Sequence, residues 1–117
     1  MLPKQHRLTS RRDFKTAFAS GRTYVHKLLV MKVLPTSGER PSRFAFSASA
    51  AMGNAAIRNR ARRLLRESVR LLGTQLKQCG YDVVLIARPP VCDVGLAEVD
   101  QAVRELSRKA GLLSGNG

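Results

Sequence analysis

The 117-residue chain contains no tryptophan, and aromatic residues make up only 5% of it. A single-strand binder built mainly on many stacked bases needs more rings, so that design is excluded. Acidic residues are scarce too, with 8 Asp plus Glu against 21 Lys plus Arg. They are scattered, and no close carboxylate pair is set for general acid and base work. Cys79 and Cys92 are the only cysteines, and His6 and His26 lie far from them without ligand spacing. A metal site in the protein is therefore not expected. In a reducing compartment the thiols read as small, half-buried side chains. No Ser-His-Asp or Cys-His arrangement appears at readable spacing, and Gly53-Asn54 lacks the glycine frame and lysine of a phosphate loop. No apolar run reaches the length of a membrane span, and Met1 to Arg7 hold no hydrophobic signal core. The expectation is a cytoplasmic protein with no membrane partner.

What the chain does have is positive charge, a formal net +13 with a sequence pI near 11.3. Solubility needs far less, so the excess points to an anionic partner, nucleic acid before membrane. The hydrophobic fraction of 44% is ordinary for a folded chain. The length suits one domain, residues 1–117, in which 1–6 and 112–117 are expected to be flexible.

The charge is concentrated. Between Gly53 and Gly73 lie six arginines, Arg58, Arg60, Arg62, Arg63, Arg66 and Arg70, offset only by Glu67. Arg58, Arg62, Arg66 and Arg70 recur every four residues, so on a helix they form a slowly drifting ridge, which Arg60 and Arg63 widen. Ile57, Ala61, Leu64, Leu65, Ser68 and Leu72 fall opposite, the pattern of a helix docked by one apolar stripe. Such a face is self-repelling unless a polyanion lies across it, and the guanidinium fork fits phosphate oxygens. A solvated basic helix is the plainer alternative, though such faces ordinarily interleave Glu with Lys.

Around this helix the pattern is α+β. Ser10 and Asp13 have the form of a capping box opening a short helix, with Gly21 expected to end it in the left-handed region. Tyr24 to Leu34 reads as one strand, and Arg43 to Ser49 as another, antiparallel to the first. Gly73 or Gly80 closes the arginine helix segment. The apolar run Tyr81 to Ala87 predicts a strand buried on both faces, stopped by Pro89-Pro90. Asp93 is expected to cap a last helix bearing Leu96, Val99, Val103, Leu106 and Ala110, with Gly111 as terminator and a fraying tail from Leu112.

The segment Asn54-Ala-x-x-Arg58-Asn59-Arg60-x-Arg62-Arg63-x-x-Arg66-Glu67 closely resembles the RNR signature of the bacterial ribonuclease P protein subunit. Arg7-Leu8 with Asp13-Phe14, Phe18 and Gly21 is similar to that family's first helix. Ser47-x-Ser49, Gly80-Tyr81-Asp82 with Ile86-Ala87-Arg88, and Lys109-Ala110-Gly111-Leu112 extend the resemblance over about residues 5 to 113.

The resemblance implies a single α+β domain in αβββαβα order, with a four-stranded mixed sheet, about three helices and a left-handed βαβ crossover. It implies a catalytic RNA subunit as partner, with magnesium ions at the RNA's active centre, no cofactor in the protein, no catalytic residue in this chain, and no obligatory protein partner. Precursor tRNA is the implied substrate, whose 5′ leader the protein helps to hold. Carried over, Asn54, Arg58, Asn59, Arg60, Arg62, Arg63, Arg66 and Arg70 would serve the RNA subunit. Phe14, Phe18, Lys32, Ser47, Ser49 and Arg88 would line the leader cleft. Phe14 and Phe18 at i, i+4 also suit plain core. The chain departs from the family at Ala50-Ala51, where two basic residues are usual, at Lys32, where an aromatic is common, and at Ala45, where glycine is common. A structural RNA-binding protein of the ribosome is the alternative function.

Overall fold

The computed structural model describes residues 2–114. Three helices, α1 (Arg11–Ser20), α2 (Ala55–Leu72) and α3 (Leu96–Lys109), alternate with β1 (Arg22–Val25), β2 (Leu29–Pro35), β3 (Arg43–Ala48) and β4 (Tyr81–Ala87) in the order αβββαβα. They form one compact α+β domain around a four-stranded sheet of order β1-β2-β4-β3. Two expectations about strands are corrected here. Tyr24 to Leu34 is a hairpin, because the chain turns at His26 to Leu28, where the His26 ring nitrogen accepts from the Leu28 amide at 3.0 Å. β3 does not pair with β2; it runs parallel to β4, which separates the two. β4 is central and its side chains alternate between two covered faces, as its unbroken apolar run demands.

On one face Leu29, Met31, Val33, Val83, Leu85 and Ala87 meet the apolar stripes of α2 and α3. That stripe on α2 is Ala61, Leu65, Ser68, Val69 and Leu72, all buried, while Ile57 at the first turn is exposed. On the other face Ala45 and Val84 meet Leu8 and Ala17, with Phe14, Leu34 and Ile86 around them. α1 and the preceding Leu8 therefore cover that side of the sheet, and only in part.

Helix ends follow local chemistry, with three corrections. Ser10 Oγ accepts from the Asp13 amide at 3.3 Å, but the Asp13 carboxylate does not reach back; it goes to Arg43 at 3.2 Å. Gly21 caps α1 with φ −70°, outside the left-handed region. Glycine is needed there for space, since a Cβ would sit 2.4 Å from the Ala17 carbonyl and 3.1 Å from the Val33 amide nitrogen. Both obstacles are backbone. Gly21→Ala is thus expected to cost about 2–3 kcal/mol, as overpacking does, and to lower Tm by about 10 °C in calorimetry. An unchanged Tm would show that the α1–β2 approach yields freely. Asp93 ends a 3-10 turn (Pro89–Asp93) and does not cap α3; Gly95 does, its N–H donating to Glu98 at 3.1 Å.

The tail expected to fray is held as far as it is described. Leu112 is 2% exposed, Lys77 donates to its carbonyl at 2.7 Å, and the Ser114 amide donates to Gln75 at 2.7 Å. Residues 115–117 and Met1 lie outside the described residues. At the other end Lys4–His6 form a 3-10 turn, and the Leu8 amide donates to Phe44 at 2.9 Å along the outer edge of β3. Cys79 and Cys92 are free and both exposed, not half-buried.

Candidate nucleic-acid interface

α2 starts cleanly because Asn54 Oδ1 accepts from the Ile57 amide at 3.0 Å. It stops at Gly73, whose φ of 49° is left-handed. Asn54 is thus a helix cap. Docking of the apolar stripe turns the arginines outward, but not equally. A four-residue spacing advances about 40° per step on a 3.6-residue helix. The ridge therefore drifts from Arg58 and Arg62, half-buried beside the stripe, to Arg66 and Arg70, which are exposed. Arg63 is exposed as well. Arg60 projects on the opposite flank and donates to the Val94 carbonyl at 2.9 Å.

Acidic neighbours compensate little of this charge. Of the α2 arginines, only Arg70 meets a carboxylate among the described residues, that of Glu67 one turn back. The hydrogen bond from Arg70, with its positive charge, holds the Glu67 carboxyl below its usual range, and the same bond raises Arg70. Arg58, Arg60, Arg62, Arg63 and Arg66 have no acidic partner among the described residues. Arg58 Nε is buried without any partner, and Arg62 donates to the Asn59 side-chain oxygen. Asn59, itself exposed, thereby orients Arg62. Arg66 lies over the Phe46 ring at 5.7 Å.

The second group sits across the sheet. Phe14 and Phe18 stack with centroids 6.2 Å apart and planes 19° from parallel. Phe14 is half-buried and Phe18 is 46% exposed, so the pair is part core and part open surface. Lys32 Nζ stands 5.2 Å from the Phe18 centroid and donates to Thr23 Oγ1 at 2.8 Å. The register places Thr23, Lys32, Val84 and Ala45 in one row and Val25, Val30, Ile86 and Ser47 in the next, on the face that α1 half covers. Ser47 and Lys32 therefore share the aromatic pair's surface. Ser49 and Arg88 are exposed, and each makes one hydrogen bond to backbone. Ser49 Oγ caps the Ala50–Met52 turn from the Ala51 amide at 3.1 Å, and Arg88 holds the His26 carbonyl at 3.0 Å. A groove of ≈ 520 Å³ at the outer edge of β3 is lined by Phe14 on one side and Arg66 on the other.

Comparison with known proteins joins this geometry to a family. A family model described as Ribonuclease P matches residues 2–111. The chain is 41% identical over 116 residues to the ribonuclease P protein component of Symbiobacterium thermophilum, covering 99% of this chain and 100% of that one. It is 47% identical over 109 residues to that of Dehalococcoides mccartyi, covering 93% and 88%. The chain belongs to the ribonuclease P protein component family. Its fold matches the ribonuclease P protein of Staphylococcus aureus with a TM-score of 0.82 at 22% identity, over 95% of this chain and 100% of the other. It matches that of Thermotoga maritima with 0.76 at 25%, over 93% and 98%.

Family membership makes this an RNA-binding subunit of the tRNA-processing endoribonuclease ribonuclease P. No helix of the described residues is long and apolar enough to cross a membrane. Within this ribonuclease P protein component, sequence reasoning missed Phe46 and Thr23, which touch Arg66 and Lys32, and Arg43, which holds Asp13 beside Phe14. Phe46 was legible as a strand residue, but only the docking of α2 on β3 brings Arg66 to it. Arg43 read as one charge among many, because a partner 39 residues away leaves no local signal.

Proposed function

We propose that α2 binds the catalytic RNA of ribonuclease P, while the α1 face holds the 5′ leader of precursor tRNA during removal of that leader. The observation that carries the first part is a docked helix with five arginines unmatched by any carboxylate among the described residues. Guanidinium groups so placed suit phosphate, and each contact releases counterions. The open half of the α1 face supports the second part. An exposed ring at Phe18 beside the Lys32 ammonium offers a base a stacking surface and its phosphate a charge. Lys32 also supplies a charge on this surface, where Ala50-Ala51 offer none.

In this proposal hydrolysis belongs to the RNA and its magnesium ions. In this division of labour the protein positions the RNA and neutralises its phosphates. Reconstitution tests the reading. At low magnesium, catalytic RNA with this protein should cleave precursor tRNA faster than the RNA alone; equal rates would remove the proposal.

Two further results are expected. Glu67→Gln frees Arg70 from its tether, so affinity for the catalytic RNA should rise about two- to fivefold in a filter-binding titration, and a fall would mean that Glu67 itself contacts RNA. Sulfate should raise Tm, since an anion that binds only the folded face stabilises it and relieves the +13 self-repulsion. A melting curve indifferent to sulfate, compared with chloride at equal ionic strength, would contradict this.

A further inference from the structure

α1 is a short helix with a weak apolar hold, since Ala17 is its only fully buried residue. Something else must set its rotation on the sheet, and with it the direction of Phe14 and Phe18. At its C-terminal end the close approach of Gly21 to Val33 fixes position. At its N-terminal end the contact is ionic. Asp82 lies on the central strand with its side chain 3% exposed. Arg43 grips it with both prongs, Nε to Oδ1 at 2.9 Å and Nη2 to Oδ2 at 2.8 Å, and Arg40 adds a bond to Oδ2 at 3.0 Å. A bidentate fork on a buried carboxylate leaves the guanidinium no rotational freedom. Its remaining nitrogen, Nη1, points at Asp13 Oδ2 at 3.2 Å. Asp13 precedes Phe14, and its carboxylate has forgone the usual capping-box bond to make this one.

We propose that Arg43 is a positioning residue for the leader surface: locked on Asp82, it holds Asp13 and so fixes the rotation at which α1 presents Phe14 and Phe18. The chain of contact runs from the rigid centre of the sheet, through one guanidinium, to the first turn of the helix that carries the rings. The Asp82 hydrogen bond, foremost, keeps Arg43 above its ordinary range, so the device stays charged. This inference rests on the leader reading above.

Asp13→Ala cuts the link and leaves the buried Arg43–Asp82 pair intact. Ser10→Ala is the control, because it weakens the same helix end by removing its cap and leaves the link alone. In holoenzyme reconstituted from catalytic RNA and the full chain, substrate Kd is measured for precursor tRNA with a leader of several nucleotides and with a single leader nucleotide. Asp13→Ala is expected to raise Kd for the long leader about fivefold, the low end of one lost base stack. The short-leader Kd and the affinity for catalytic RNA should stay unchanged, and Ser10→Ala should match wild type throughout. Equal losses on both substrates, lost affinity for the catalytic RNA, the same loss in Ser10→Ala, or no loss at all would each overturn the positioning role. A wild-type holoenzyme blind to leader length would instead overturn the leader reading, and this inference with it.

Discussion

Reversing two charges, Arg62→Glu with Arg66→Glu, is expected to weaken binding of the catalytic RNA about a hundredfold or more at physiological salt and to flatten the salt dependence by about two. Each substitution removes a phosphate contact and adds a repulsion. Among the described residues neither arginine is spent on a carboxylate, so no ion pair there is lost with it. Arg62 donates to Asn59, and Arg66 lies over the Phe46 ring. Stability should therefore hold, and Tm should rise slightly as self-repulsion falls. Arg108→Glu, an exposed position near the end of α3, is the control, expected to change affinity little. A double variant with wild-type affinity and slope would show that α2 does not face the RNA.

Leu65→Ala should have the largest effect on the fold. Leu65 is 0% exposed and sits in the middle of the α2 stripe, packed into the cluster formed with the sheet and α3. Leu→Ala at such a site costs about 3–4 kcal/mol, from lost transfer energy and the cavity left behind. For a domain of this size that is a fall in Tm of about 10–15 °C. The same substitution leaves every arginine in place. Below Tm, RNA affinity should drop only modestly, and saturating RNA should recover much of the lost stability, because a ligand that binds only the folded state shifts the melt. A small Tm change would mean that α2 is not anchored by its apolar side. A collapse of RNA affinity at temperatures where the variant is folded would mean that Leu65 shapes the contact directly.

The arginine helix was legible in the sequence because three local signals coincide there. The apolar residues keep helical period, Asn54 caps one end, and Gly73 allows the left-handed exit at the other. The central strand was legible from its unbroken apolar run. The β1–β2 hairpin was not, because His26-Lys27-Leu28 contains none of the usual turn residues and Val and Leu continue on both sides. The partner of β3 was not either, since alternation tells which face is buried but not which strand lies alongside. α3 begins at Gly95, a residue with no side chain to announce a cap; the clue is Glu98 three positions on.

The candidate site divides in the same way. Residues on one helix kept their relation when the chain folded, which is why Arg58 through Arg70 came out together. The leader group depended on tertiary contacts, which bring Phe14, Phe18, Lys32 and Ser47 to one surface. Ser49 and Arg88 each make a hydrogen bond to a backbone group. Across the fold, the sheet separates the arginine helix from the aromatic pair, which on the proposed reading offers the catalytic RNA and the leader a face each.

The most direct measurement is arginine-modification footprinting of the protein, free and bound to catalytic RNA, read peptide by peptide in a mass spectrometer. Binding is expected to protect Arg62, Arg63 and Arg66 strongly while Arg104 and Arg108 on α3 react as in the free protein. Unchanged reactivity along α2, with protection appearing on α3 instead, would contradict the assignment of α2 as the RNA-binding face.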